Sequence, residues 1–301
     1  MDFERFKEWA KKEVSERSTL NIMESDLVLE DVTKLGRRYT GLTIRNEEYI
    51  ISPTIDLDAF YEMYRGGVAS EVVADMMTRV MDEHMPDTSW DVEWISDYSQ
   101  VRDKLIVCLC NAEYNSAFLE NVPHLIREDL ALTCHIIYEV PGEGNLGAVV
   151  SYGLLEEYGI SSDELFRDAF ENSMKIMPLN KEFVRNIVGS EEDYDERNPF
   201  FRLMMISNKK YFRGAAALFY PGTAEKVAAE LGGSFFVLPS SIHEVLALPA
   251  TPAIDIEDLE LMVLEANLLH VPPEERLSDN VYMYSAETGR FFRVNETDHM
   301  N

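Results

Sequence analysis

Apolar residues recur at helical spacing from the start of the chain. Phe3, Phe6, Trp9, Ala10 and Val14, with charges between them, predict an amphipathic helix over residues 2–17. Short strands follow at 28–31 and 39–44, joined by a Lys34-Leu35-Gly36-Arg37 turn, and a third at 49–51 is closed by Ser52-Pro53. Helices are predicted at 56–64, ended by Gly66-Gly67, and at 70–84, where Val72, Val73, Met76, Met77 and Val80 lie along one side. After a loop at 86–94, the period of Val101, Leu105, Cys108 and Leu109 predicts one long helix over 97–119. Strand formers dominate 130–140 and 146–151. Helices come next at 154–158, stopped by Gly159, and at 165–177, opened by Ser161 with Glu164 three residues on. Beyond an acidic, polar stretch at 189–199 the pattern gives strands at 201–207 and 214–219, a helix at 223–231 and strands at 234–238 and 245–248. A helix at 256–270 and a closing hairpin of 281–284 with 291–293 complete the chain.

This order of elements predicts an α+β fold, with mixed or antiparallel sheets covered by helices. Two strand pairs carry Gly-Ala at the start of the second strand, at Gly147-Ala148 and at Gly214-Ala215, and each precedes a helix. That recurrence points to strand-strand-helix repeats. The composition shift at 189–199 marks a surface loop between an N-terminal α+β part, residues 1–188, and a C-terminal part, residues 200–301, packed together as one globular unit.

Charge narrows the function classes. The chain carries 55 acidic residues against 27 Lys and Arg, a formal charge of −28, while 46% of its residues are hydrophobic, enough for a core. Duplex or single-stranded nucleic acid is disfavoured as a direct ligand, because its non-specific binding depends on cations that neutralise phosphates. Anionic membrane surfaces are disfavoured on the same ground. A basic protein is the partner such a surface attracts, and an acidic chain could occupy such a partner's groove as a nucleic-acid mimic. No stretch nears the roughly 20 apolar residues of a membrane-spanning helix, and the first residues lack a signal peptide's basic and apolar blocks, so a cytoplasmic location is expected. Cys108 and Cys110, placed in the 97–119 helix, would not face each other; together with Cys134 they read as buried reduced thiols.

Candidate chemistry is sparse. Ser240, Ser241, His243 and Glu244 form the sharpest polar cluster, and a hydrolytic reading takes a serine as nucleophile, His243 as base and Glu244 or a distant carboxylate to orient it. No Gly-x-Ser-x-Gly elbow surrounds them, and a Pro-Ser-Ser turn between two strands accounts for the same residues. Gly142-Glu143-Gly144-Asn145-Leu146-Gly147 matches a dinucleotide-loop spacing but leads into a strand, which favours a hairpin turn. No metal ligand set is assigned: Ala247 stands where a zinc-binding second histidine would follow His243-Glu244, and His124, His135 and His270 are scattered. Glu191, Glu192, Asp193, Asp195 and Glu196 lack calcium-loop spacing and read as a solvated charge run, and as the candidate contact for a basic partner.

The run 214–222 (Gly-Ala-Ala-Ala-Leu-Phe-Tyr-Pro-Gly), followed by 231–245 with its Leu238-Pro239-Ser240-Ser241-Ile242-His243-Glu244-Val245, resembles domain of unknown function 5688. Residues 51–55, the flanks of the acidic stretch and Leu277-Ser278-Asp279-Asn280-Val281-Tyr282 are similar to the same family. The resemblance implies a bacterial intracellular protein and brings no activity, cofactor or catalytic residue with it. The function expected from the residues is therefore a non-enzymatic acidic binding or regulatory protein that engages a basic macromolecule and needs no cofactor. The alternatives are a hydrolase with a Ser-His site at 240–244, or a small-ligand sensor.

Overall fold

The computed structural model describes residues 1–34, 36–45, 53–84, 93–140, 144–188, 199–239 and 241–294. Two compact units divide the chain, residues 1–92 and 93–301. The sequence places its seam at 189–199 instead. Residues 189–198 lie outside the described residues, but they connect two strands that pair with each other, 179–183 with 204–208, and so fall within the second unit.

In the first unit, α1 (Phe3–Arg17) starts where the Asp2 carboxylate accepts the Arg5 amide, and it buries Phe6, Ala10 and Val14. β1 (Leu27–Lys34) and β2 (Arg37–Ile44) form the expected hairpin, pairing antiparallel from Leu27↔Ile44 to Lys34↔Arg37. The predicted strand at 49–51 lies outside the described residues. The third strand of this sheet is β3 (Ile55–Asp56), paired with Gly41 and Leu42 of β2. Asp56 also caps α2 (Leu57–Arg65) by accepting the Ala59 amide, and α3 (Ser70–Glu83) turns Val73, Met77 and Met81 into a core with Phe6, Leu42 and Leu57.

The second unit opens differently from the sequence pattern. The predicted helix at 97–119 is broken into α4 (Tyr98–Val101), a 3-10 turn at 102–104, the strand β4 (Leu105–Asn111) and α5 (Ser116–Leu119). β4 is buried along its whole length. A strand covered on both faces is apolar at every position and carries no period of two, so the helical spacing of Leu105, Cys108 and Leu109 was fortuitous. β5 (His124–Arg127), missed in the sequence, and β7 (Gly144–Val149) both pair with the long strand β6 (Leu130–Val140), whose other edge pairs with β4. Of the Gly-x-Gly-x-x-Gly segment, Gly144 to Gly147 lie in β7, a strand as predicted, and Gly142 and Glu143 lie outside the described residues.

Next come α6 (Tyr152–Tyr158), ended by a left-handed Gly159, and α7 (Ser162–Ile176), capped by Ser161 accepting the Glu164 amide. A six-stranded antiparallel sheet in the order β13-β12-β10-β11-β9-β8 follows. Its members are β8 (Leu179–Phe183), β9 (Met204–Asn208), β10 (Phe235–Leu238), β11 (Val245–Pro249), β12 (Tyr282–Ser285) and β13 (Arg290–Arg293). Helices α8 (Val184–Val188), α9 (Thr223–Leu231) and α10 (Ile256–Leu269) are interspersed. The core joins Val107, Leu109, Leu132 and Ile136 of the four-stranded sheet to Ile206, Phe235, Ala247 and Tyr282 of the six-stranded one.

Residues 214–219, predicted as a strand, form a 3-10 helix instead. Ala215, Ala216 and Ala217 are fully buried there, and the apolar run that reads as a strand is a compact turn wedged into the core. The second copy of the strand-strand-helix repeat is therefore not formed, while the α+β class with antiparallel sheets holds.

Candidate functional site

Ser241, His243 and Glu244 sit in the connection between β10 and β11, and Ser240 lies outside the described residues. The turn closes on itself: Ser241 Oγ donates to Glu244 Oε1 at 3.0 Å and accepts the His243 amide at 3.0 Å, while the Ser241 amide donates to the Glu244 carbonyl at 3.2 Å. Neighbouring segments then fix it. Ser207 Oγ donates to the His243 carbonyl at 2.7 Å, and the Ile242 amide donates to the Glu275 carbonyl at 2.9 Å. The His243 ring accepts the Arg213 amide at Nδ1, 3.3 Å away, and its Nε2 lies 3.4 Å from Glu275 Oε1. One tautomer satisfies both contacts, with the proton on Nε2.

A serine nucleophile requires a base nitrogen that accepts from its hydroxyl. Among the described residues the Ser241 proton goes to Glu244 and both His243 nitrogens have other partners, so this arrangement is that of a braced turn. The acidic residues Glu191, Glu192, Asp193, Asp195 and Glu196 lie outside the described residues.

Arg213 connects this turn to the four-stranded sheet. It holds a left-handed backbone at φ 49°, and its Nη1 is buried with no hydrogen-bond partner among the described residues. Because 108 and 110 lie on a strand and not on the predicted helix, Cys108 and Cys110 share one face, opposite Thr133 and Ala131. His135 is on the same face of β6, its Nε2 3.1 Å from Thr133 Oγ1. Burial pushes the Cys108 thiol up to about 11, partly offset by the Arg213 guanidinium. At neutral pH the thiol therefore stays protonated and is a poor nucleophile. Burial, aided by the Arg213 charge, also lowers His135 from 6.5 to about 3, so the imidazole is neutral.

The unfolded chain protonates His135 near its ordinary value while the folded chain does not, so the unfolded state takes up more protons below pH 6.5. The stability involved is fully present above pH 6.5 and is lost progressively as pH falls toward 3. Between pH 7 and pH 5 the loss is about 2 kcal/mol. Urea unfolding of wild type and His135→Gln at both pH values checks it: the variant's pH-dependent loss should be smaller by about that amount. Equal losses in the two proteins would mean that His135 is not held neutral.

A second polar cluster was not singled out by sequence. Asp129, in the β5–β6 turn beside a left-handed Glu128, accepts from Ser278 Oγ at 2.7 Å, Asn280 Nδ2 at 2.9 Å and Tyr282 OH at 2.7 Å. Asn111 Nδ2 donates to the Leu277 carbonyl at 2.7 Å and Asn267 Nδ2 to that of Ser278 at 2.9 Å. The 277–282 stretch is thereby anchored to the four-stranded sheet through Asn111 and Asp129, and to α10 through Asn267. Tyr282 is fully buried, and burial above all drives its phenol well above the usual range.

The surface of α10 differs in kind. Leu259, Val263 and Asn267 face inward, whereas Leu261, Leu264 and Leu268 are 64, 40 and 63% exposed. Their i, i+3, i+7 spacing makes one stripe. Glu257, Asp258, Glu260 and Glu265 are also exposed on this helix, which contains no Lys or Arg. The signal was in the sequence: a helix with leucines around its whole circumference has more apolar surface than one buried face requires.

Among the described residues no group of His, Cys, Asp or Glu is arranged to hold a metal ion, and no helix is long and apolar enough to cross a membrane. Fold and site together define an α+β protein of two antiparallel-sheet units, with a braced polar turn and an acidic helix exposing leucines. The model of a family of unknown function, DUF5688, matches residues 3–286, and the chain belongs to that family. No curated protein and no solved structure matches it.

Proposed function

We propose that this protein is a non-enzymatic binding or regulatory protein that engages a basic macromolecular partner, and that α10 is the docking element. The observation that carries the reading is the stripe Leu261, Leu264 and Leu268 on a helix whose exposed charges are all carboxylates. Exposed apolar surface with a polar rim favours a protein contact. Charge complementarity selects the occupant: a basic amphipathic helix of another protein, its leucines on the stripe and its Lys or Arg residues over Glu260 and Glu265. A second copy of this chain would bring the same carboxylates face to face. The −28 charge adds long-range attraction for a basic partner.

The test compares wild type with the double variant Leu261→Asp, Leu268→Asp. Both positions are exposed, so the fold should survive, which circular dichroism verifies. Wild type should capture a basic protein at low salt, with capture falling at least about tenfold on raising the salt to about 0.5 M. The double variant should lose at least about tenfold at low salt. The reading fails if nothing basic is captured, if the variant captures the same protein equally well, or if sedimentation shows that the stripe is covered by self-association.

A further inference from the structure

A cleft of about 390 Å³ opens in the second unit between the 218–225 segment and the β12–β13 hairpin. Its size suits a ligand of mononucleotide scale. The walls are aromatic. Phe219 and Phe291 meet edge to face at 5.1 Å, and Phe291 stacks on Tyr282 at 5.0 Å. The Asp129 bond to Tyr282 holds that stack from behind. Tyr284 completes the wall and is itself packed against Phe235 at 5.2 Å.

Two cations line this cleft. Arg127 stands at the end of β5 and Arg290 at the start of β13. In a chain with twice as many carboxylates as cations, neither guanidinium has an ion-pair partner among the described residues. Among the described residues, Arg127 donates only to the carbonyl of its own neighbour, Ile126, at 2.8 Å. Backbone geometry fixes where both arginines start. The Arg127 end of β5 is held by the turn that Asp129 anchors, and Arg290 follows a left-handed Gly289 at φ 68°. One carboxylate, Glu225, is also in the lining. A second hollow of about 370 Å³ adjoins the cleft through Glu225 and Tyr284, and small residues, Ala228, Ala229, Gly232 and Gly233, form its floor.

These features select a ligand chemistry. Two guanidiniums without an ion-pair partner among the described residues suit a dianion, and a phosphate presents enough oxygens for two forks. Aromatic walls suit a planar ring, which they contact over a large area at little entropic cost. A lone carboxylate beside that ring disfavours a purely anionic ligand and favours one whose ring bears N–H donors, as a nucleobase does. We propose that the cleft binds a nucleoside monophosphate, with the phosphate on Arg127 and Arg290, the base against Phe219 and Phe291, and base N–H groups on Glu225. This site is separate from α10 and does not depend on the docking reading.

Isothermal titration with AMP, GMP, CMP and UMP tests the proposal, with inorganic phosphate and the unphosphorylated nucleosides as the other probes. At least one nucleotide should bind saturably with a Kd of about 0.1 mM. The corresponding nucleoside and inorganic phosphate should each bind at least about tenfold more weakly. Arg127→Gln and Arg290→Gln should each weaken the nucleotide by about tenfold, with nucleoside binding unchanged. Both arginines are exposed, so these variants should keep the wild-type melting temperature. The proposal is overturned if no nucleotide binds below about 5 mM. It is equally overturned if inorganic phosphate binds as well as the nucleotides, or if the double variant Arg127→Gln, Arg290→Gln retains wild-type affinity.

Discussion

Replacing Asp129 by alanine is expected to lower stability by about 4 kcal/mol, although the carboxylate is itself only partly buried. It receives three donors, from Ser278, Asn280 and Tyr282, and two of these belong to residues almost wholly shielded from water, Ser278 at 1% and Tyr282 at 0% exposure. Hydrogen bonds to a charged acceptor contribute about 1.5–3 kcal/mol each, and a buried donor left without an acceptor adds its own desolvation cost. Asp129→Asn keeps the size and one acceptor oxygen, so it should cost about half as much. Tyr282→Phe removes one donor along with its need for a partner, and should cost about 1 kcal/mol. Urea unfolding gives the three values, and amide exchange across residues 277–282 locates the loss. A cost below about 1 kcal/mol for Asp129→Ala would show that the network does not hold this stretch.

Gly214→Ala should cost about 3 kcal/mol, an unusual penalty for a single methyl group. A Cβ at this position would stand 2.6 Å from both the Asn208 amide nitrogen and the His243 carbonyl oxygen, and would also run into Ser207 Oγ. Two of these neighbours are backbone and the third is already bonded to His243, so no flexible side-chain end is available to move aside. The methyl group must push the 241–244 turn away from β9. Gly222→Ala is the control. Its φ of 78° is strained for alanine, but nothing lies within 4 Å, so a cost of about 1 kcal/mol is expected. Equal costs at the two positions would refute the steric account of Gly214.

The same close approach explains why the most polar motif of the chain is built as it is. Ser241, His243 and Glu244 look like parts of a hydrolytic site when read along the sequence, since the residue types match. In the fold, Ser241 serves Glu244 and the His243 amide, and His243 serves Arg213 and Glu275. These polar groups join segments 207–215, 241–244 and residue 275. The surfaces proposed for a partner and for a ligand lie elsewhere, on α10 and in the cleft beside α9.

Local chemistry was enough to place most elements. Asp2, Asp56 and Ser161 cap the helices predicted to begin beside them, Gly159 ends α6 in the left-handed conformation, and the β1–β2 hairpin and the closing β12–β13 hairpin form where turn residues separate strand formers. These features depend on contacts a few residues apart, which a linear reading contains. The acidity that motivates a basic partner was equally plain in the composition.

Other features depend on what lies across the molecule. Residues 105–111 became a strand because they are covered on both faces, and 214–219 became a tight 3-10 turn because β9 and the 241–244 turn close on Gly214. Asp129 meets partners about 150 positions away, and the cleft gathers Arg127, Phe219 and Arg290 from three separate segments. Residue types and spacing encode local propensity, whereas burial, pairing and the convergence of distant charges are properties of the packed chain.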